Sequence, residues 1–246
     1  MKCVHLIMFP GWGMEKGVFQ PLSEHLSKRF QLSFVDWRNI SECSEITARA
    51  RTIVQSIDEP VFLLGWSLGA IAALDAASIY PKNVKGLILI GATSRFTSDK
   101  NYLSGWHPRI VERMKKQLEN AKEKTLVAFY ESMFSISEKE AGFYDQFIKH
   151  VKNQCQGDHT LSLQIGLDYL IEKDVRKLLQ QMNVPSLLIH GKEDTICPVK
   201  ASIFMKEELN EQVSLSILEK TGHIPFFTKT DQCRELITTF IQEGVR

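Results

Sequence analysis

Three residues far apart in the chain, Ser67, Asp194 and His223, have the types that nucleophilic acyl transfer requires. A serine hydroxyl at its free pKa is a weak nucleophile. It becomes an effective one when an imidazole takes its proton and a carboxylate holds that imidazole in the correct tautomer. Ser67 stands in Gly65-Trp66-Ser67-Leu68-Gly69, after the apolar run Val61 to Leu64 and before the small-residue stretch Ala70 to Leu74. A strand that turns sharply into a helix exposes one side chain at the turn, and glycines on either side remove the clashes that so tight a turn creates. The hydroxyl then lies at a helix N-terminus, where the N–H of Leu68 faces any negative charge that develops beside it.

Asp194 and His223 have matching positions in later loops. Asp194 follows the apolar run Leu187 to His190 in Gly191-Lys192-Glu193-Asp194, ahead of the helix that Pro198 opens, with Glu193 as an adjacent rival. His223 follows Leu215 to Leu218 in Glu219-Lys220-Thr221-Gly222-His223. Alone, an aspartate in a charged turn or a histidine in a loop is ordinary surface chemistry. After two successive late strands, in the order Ser67, Asp194, His223, they point to a catalytic triad. His5 and His190 fall in predicted strands, His25, His150 and His159 on or near surface helices, and His107 ahead of the charged helices. None has the spacing of a metal ligand, so no metal and no cofactor is expected. A second oxyanion donor is expected from Phe9-Pro10-Gly11-Trp12-Gly13, where two glycines let the backbone aim the Trp12 N–H inward. Trp12 and Trp66 offer flat apolar walls for an acyl pocket beside the serine.

These loops need strands to carry them. Apolar, β-rich runs recur at Val4 to Phe9, Gln31 to Trp37, Val61 to Leu64, Val84 to Ile90, Ser186 to His190 and Val213 to Leu218. Helical patterns lie between most of them: Val18 to Lys28, Ile46 to Ile57, Ala70 to Tyr80 and Val199 to Leu209, with Asp231 to Gln242 closing the chain. Such alternation predicts an α/β fold, a mostly parallel central sheet with helices on both faces. It stops after Ile90. Charged helical patterns then follow at Pro108 to Ala121, Lys124 to Phe134, Lys139 to Lys152 and Thr160 to Tyr169, which predicts a helical cap over 96–182 inserted into a core of 1–95 and 183–246. Caps of this kind cover the carboxyl ends of strands, where open α/β sheets keep their sites.

Composition narrows the function classes. With 43% hydrophobic residues in 246, the chain can bury a large core. Thirty basic against twenty-nine acidic residues leave a formal charge of +1, so nothing global attracts nucleic acid or a membrane, and charge recognition has to be local. Cys3, Cys43, Cys155, Cys197 and Cys233 are odd in number and widely spaced, the pattern of reduced thiols in a cytosolic protein. The apolar run that opens the chain is too short for a signal peptide and lacks a small-residue cleavage site, so a cytoplasmic monomer is expected.

Taken together, these residues resemble the α/β-hydrolase superfamily over essentially the whole chain. Pro10-Gly11-Trp12-Gly13, the Gly65 to Gly69 elbow and the segment from Trp106-His107-Pro108 through Lys124 to Phe129 are similar to the pimeloyl-acyl carrier protein methyl ester esterases of biotin synthesis. The chain departs from that pattern at Pro10, where many such esterases have histidine, and at Asp36 to Ser41, where a Pro-Gly-x-Gly-x-Ser loop is usual. The resemblance implies ester hydrolysis through an acyl-enzyme, with Trp12 and Leu68 supplying the oxyanion N–H groups and Phe129 lying along the acyl chain. It also implies that basic cap residues grip an acidic acyl carrier protein, for which Arg109, Arg113, Lys115, Lys116, Lys122 and Lys124 are the candidates, partly neutralised by Glu112, Glu119 and Glu123. A thioesterase, a carbon–carbon bond hydrolase and a ligand-sensing protein on the same fold remain open at this point.

Overall fold

The computed structural model describes residues 4–209 and 212–244. The chain runs through β1 (Val4–Phe9), a 3-10 turn (Lys16–Phe19), α1 (Gln20–Leu26), β2 (Phe30–Phe34), α2 (Cys43–Gln55), β3 (Val61–Trp66), α3 (Leu68–Ile79) and β4 (Val84–Ile90). There follow α4 (Pro108–Ser132), α5 (Ile136–Glu140), α6 (Phe143–Gln154), α7 (Thr160–Glu172) and α8 (Arg176–Leu179). The sheet resumes with β5 (Ser186–Gly191), α9 (Val199–Glu208) and β6 (Val213–Leu218), and the chain closes on α10 (Pro225–Thr228) and α11 (Thr230–Gly244).

The six strands form one sheet in the order β2-β1-β3-β4-β5-β6, and every neighbouring pair is parallel. Parallel strands need crossovers, which the intervening helices supply. β3 and β5 are buried at every position, as strands covered on both faces must be, whereas the edge strands β2 and β6 are partly open. Because all strands point the same way, the loops after β1, β3, β5 and β6 emerge at one edge, and these loops carry Trp12, Ser67, Asp194 and His223.

Departures from the sequence expectation have local causes. β2 ends at Phe34 rather than reaching Trp37, whose buried indole turns out of the strand and donates from Nε1 to the Pro10 carbonyl at 2.8 Å. The helix expected from Val18 starts as a 3-10 turn, and Pro21 opens the α-helical part, where its missing N–H costs nothing. Pro108 to Phe134 reads as two helices with a gap; α4 is one element broken internally at Ala121, with φ −154° and ψ 57°. Lys139 to Lys152 is instead divided at Gly142, whose φ of +79° suits glycine and stops α5 before α6 begins. Between residues 96 and 182 the described residues form only isolated bridges outside these helices. No helix among the described residues is long and apolar enough to cross a membrane. Cys43, Cys155, Cys197 and Cys233 are free thiols, and Cys3 lies outside the described residues.

Candidate active site

Ser67 has φ 56° and ψ −118°, a region that a residue with a Cβ rarely occupies. The flanking glycines are required by close approach. A Cβ on Gly65 would sit 2.5 Å from Ala70 Cα, and one on Gly69 would sit 2.1 Å from the Phe9 carbonyl oxygen. Thus α3 crowds β3 on one side and the end of β1 on the other, and only Gly-x-Ser-x-Gly lets the turn close. The Ser67 N–H donates to Ile90 O at 3.1 Å, and the Ser67 carbonyl accepts from Ala70 N at 2.9 Å. Leu68 opens α3, so its N–H is one of the leading donors that a helix cannot satisfy from within.

His223 and Asp194 meet in the interior. His223 Nδ1 lies 2.7 Å from Asp194 Oδ2, while Asp194 Oδ1 accepts from the backbone N–H groups of Ile196 and Cys197, both at 2.8 Å. Facing a carboxylate, Nδ1 carries the ring proton, which leaves Nε2 with the lone pair. His223 Nε2 is buried and has no hydrogen-bond partner among the described residues. Burial alone would raise the Asp194 carboxyl, but its electrostatic interaction with His223 and the bonds from His190 and His223 outweigh it and hold the group well below the usual carboxylate range. The rival Glu193 is exposed while Asp194 is buried.

The backbone of His223 is held as firmly as its ring. Its N–H donates to Met133 O at 2.7 Å, and its carbonyl accepts from Trp66 Nε1 at 2.9 Å. Gly91, with φ +51°, passes so close that a Cβ there would meet His223 Nδ1 at 3.0 Å.

Two residues of this cluster escape the sequence reading. His190, next to last in β5, is fully buried, with Nε2 2.7 Å from Cys197 O and 3.3 Å from Asp194 Oδ2, and with Nδ1 2.6 Å from Ser202 Oγ. Both neighbours of Nε2 are acceptors, so Nε2 carries the proton and Nδ1 accepts from the Ser202 hydroxyl. The signal lay in the spacing: His190 and Asp194 are four residues apart at a strand end, but burial within a strand conceals a polar role. Cys197 is the other. Its thiol is fully enclosed, and burial together with the Asp194 charge pushes its pKa well up. Through its backbone N–H to Asp194 Oδ1 and its carbonyl to His190 Nε2, Cys197 ties those two residues to one turn.

Trp12 and Leu68 line one cleft with Gly13, Leu163 and Gly166, and Glu15, Arg38 and Asp158 form its polar end. The Trp12 indole is fixed there by a 2.7 Å bond from Nε1 to Leu163 O and by the Phe129 ring, edge-on at 5.0 Å. Trp66 is not brought to this cleft. Successive side chains of a strand point to opposite faces, and its ring is buried against Phe19, Phe226 and His223.

The six basic residues of α4 do not act as one set. Arg113, Lys116 and Lys124 line a single groove at the Ala121 break, and Arg109 is exposed near the start of the helix. Lys115 turns the other way to pair with Asp168 of α7 and with Glu112, and Lys122 donates to Asp158 O at 3.2 Å and pairs with Glu123.

Comparison with known proteins gives a family and a fold. The family model for the alpha/beta hydrolase fold matches residues 4–230. Among curated proteins, a pimeloyl-acyl carrier protein methyl ester esterase from Pseudoalteromonas atlantica is 28% identical over 92% of this chain and 90% of its own. A protein of the same name from Neisseria meningitidis is 28% identical over 100% of this chain and 95% of its own. Among solved structures, an esterase from Exiguobacterium antarcticum superposes with a TM-score of 0.86 at 22% identity, covering 97% of this chain and 92% of the other. A bromoperoxidase from Bacillus anthracis reaches 0.87 at 16% identity, covering 98% and 92%. At these identities the solved structures speak for the fold alone.

Proposed function

The chain belongs to the alpha/beta hydrolase fold family, and from that premise we propose that it is a serine carboxylesterase acting on the methyl ester of a pimeloyl group carried by acyl carrier protein. The observation that carries the chemistry is the buried His223–Asp194 pair, joined at 2.7 Å with Nε2 unoccupied, on the same sheet edge as the strained Ser67. His223 Nε2 takes the Ser67 proton as Oγ bonds to the ester carbonyl carbon, and Asp194 steadies the imidazolium that results. The oxyanion is held by the N–H groups of Trp12 and Leu68, each worth roughly 2.7 to 4 kcal/mol in comparable sites. Collapse of the adduct breaks the ester C–O bond, and His223 returns its proton to the departing alcohol. Water then adds to the acyl-enzyme by the same route, releasing the acid and restoring Ser67. The Ser67 hydroxyl and His223 Nε2 come within bonding distance when substrate closes the site, since catalytic hydrogen bonds tighten in the loaded enzyme.

The substrate reading rests on what the relatives that match along the whole chain are named for, with support from two local features. Phe129 meets Trp12 beside the cleft, in position to flank an acyl chain. The groove at Arg113, Lys116 and Lys124 offers unmatched positive charge to an acidic carrier. On this reading 96–182 is a cap on a core of 1–95 and 183–246, and the cap grips the carrier while the core performs the chemistry. Expression in cells that lack their own pimeloyl-carrier esterase, grown without biotin, tests the assignment. Growth with the wild type and none with Ser67→Ala is the expected result. Absence of growth from a soluble protein that hydrolyses p-nitrophenyl esters would retain the esterase and discard the substrate.

A further inference from the structure

Glu138 is a charged residue on a short helix away from the serine, yet only 3% of it is exposed. It holds position N3 of α5 in a capping box: Ser135 Oγ accepts from Glu138 N at 3.2 Å, and Glu138 Oε2 accepts from Ser135 N at 2.8 Å. A capping box explains those two bonds and nothing more. The same Oε2 also accepts from Gly222 N at 2.9 Å, across 84 residues of sequence, from the residue that precedes His223. Its other oxygen, Oε1, is buried without a partner among the described residues. A helix cap that served only its own helix would sit in water, where a carboxylate is cheap to keep.

The surrounding contacts make Glu138 the centre of a bracket around the His223 loop. Met133 O accepts from His223 N at 2.7 Å, and the hydroxyls of Ser135 and Ser137 both reach Lys220 O, at 3.1 and 3.3 Å. Lys220 has a φ of +54°, so the loop is held in a conformation that its residues would not choose alone. Gly222 is pressed between two elements. A Cβ on it would lie 2.2 Å from Met133 O, and a Cβ on Gly191 would lie 2.0 Å from Gly222 O. The corner also reaches the other loop, since Thr195 Oγ1, next to Asp194, donates to Ser132 O at 2.9 Å.

We infer that Glu138 is a positioning residue for His223: its buried carboxylate holds the Gly222 N–H and so fixes the backbone from which the imidazole projects. The inference rests on His223 being the base of the proposed reaction. Both bonds fall on one oxygen, so a glutamine whose amide oxygen replaces Oε2 keeps them, aspartate is too short to span them, and leucine loses them.

The test is steady-state hydrolysis of a p-nitrophenyl ester by the wild type, Glu138→Gln, Glu138→Asp, Glu138→Leu and His223→Ala, each checked for its melting transition. Misplacement of a reacting group by about 1 Å costs about a hundredfold, so Glu138→Leu is expected to lose about a hundredfold in kcat with KM within about twofold. On the same scale Glu138→Asp loses about tenfold and Glu138→Gln stays within about threefold of wild type. Phosphonate labelling of Ser67 slows in the same order. If leucine or, should that variant not fold, aspartate matches the wild type while His223→Ala is inactive, the inference is overturned and the reading of the site stands. If glutamine loses as much as leucine, hydrogen-bonded positioning is likewise overturned. An active His223→Ala removes the premise instead.

Discussion

The edge of the sheet and the helical segment between β4 and β5 fix their functional side chains in different ways. At the sheet edge the backbone decides. Ser67 is held at positive φ between two glycines that touch neighbouring backbone, Asp194 accepts from two backbone N–H groups, and His223 is bonded through both its N–H and its carbonyl. In the helical segment side chains decide. Whether a lysine of α4 faces solvent or α7 depends on a partner such as Asp168, 53 residues away. On the proposed reading, the chemistry sits on a scaffold that tolerates little, and recognition on one that side-chain substitution can revise.

The largest effect should come from the backbone-fixed region. Ser67→Ala is expected to lower kcat for p-nitrophenyl esters by roughly 10⁶-fold, as removal of the nucleophile does in serine hydrolases. The fold should be unaffected, because no bond of the elbow's backbone involves the hydroxyl. Activity close to wild type would show that the strained turn serves packing alone.

Asp194→Asn comes next, with an expected loss of about 10⁴-fold in kcat from the wrong imidazole tautomer. It also has a signature in stability. A carboxylate whose folded pKa is depressed contributes stability that is fully present above its unfolded pKa, about 3.9, and is lost as pH falls below that value toward the folded one. The Asp194 carboxyl is depressed by its histidine partners, against the effect of burial. Denaturant melts should therefore show the wild type losing stability below about pH 4 more steeply than Asp194→Asn. Parallel curves would mean that Asp194 is not held ionised by its partners.

The same contrast explains what could be read from sequence. The elbow was legible because glycine spacing reports backbone geometry directly, and Asp194 and His223 because apolar runs mark strand ends. β1, β4 and β6 fell where the apolar runs placed them for the same reason. His190 was not legible, since a histidine inside a buried strand looks like core. Glu138 was not legible either: in Ser137-Glu138-Lys139-Glu140 it looks like one more solvated helix charge, and only the tertiary approach of Gly222 gives it a partner. Sequence adjacency to Ser67 does not report where the Trp66 ring goes: following the alternation of its strand, it packs against Phe19, Phe226 and His223. Among the basic residues, a list of charges could not separate Arg113, Lys116 and Lys124, which share a groove, from Lys115 and Lys122, which are engaged within the segment.

That division yields a sharper test of recognition. Lys116→Glu with Lys124→Glu is expected to lower kcat/KM for carrier-bound substrate by about tenfold or more, with a weakened salt dependence, and to leave small esters unchanged. Lys115→Glu should instead act mainly through stability, because it sets a new carboxylate against Asp168 and Glu112. If Lys115→Glu proves as selective against carrier-bound substrate as the groove pair, the docking face lies elsewhere on α4.

The smallest effect probes the seam where the two regions meet. Trp12 belongs to the loop after β1, but its indole is bonded to Leu163 O and packed on Phe129 and Gly166, all in the helical segment. Trp12→Phe keeps the backbone N–H and most of the ring and loses one buried hydrogen bond, to a carbonyl that α7 still satisfies from within, which costs about 0.5 to 1.5 kcal/mol. For a chain of this size each kcal/mol lowers the melting temperature by roughly 2 to 4 °C. The seam has other ties, since Glu15 Oε1 accepts from Gln156 N and Gly157 N at 2.7 Å and Ile40 N donates to Ser162 Oγ at 3.2 Å. Trp12→Phe should therefore melt a few degrees lower in one transition and keep kcat within about threefold of wild type, since the backbone N–H proposed for the oxyanion stays in place. A loss near a hundredfold without a change in melting would mean that the indole itself aims that N–H, and that the backbone of the first loop is less self-sufficient than that of the elbow.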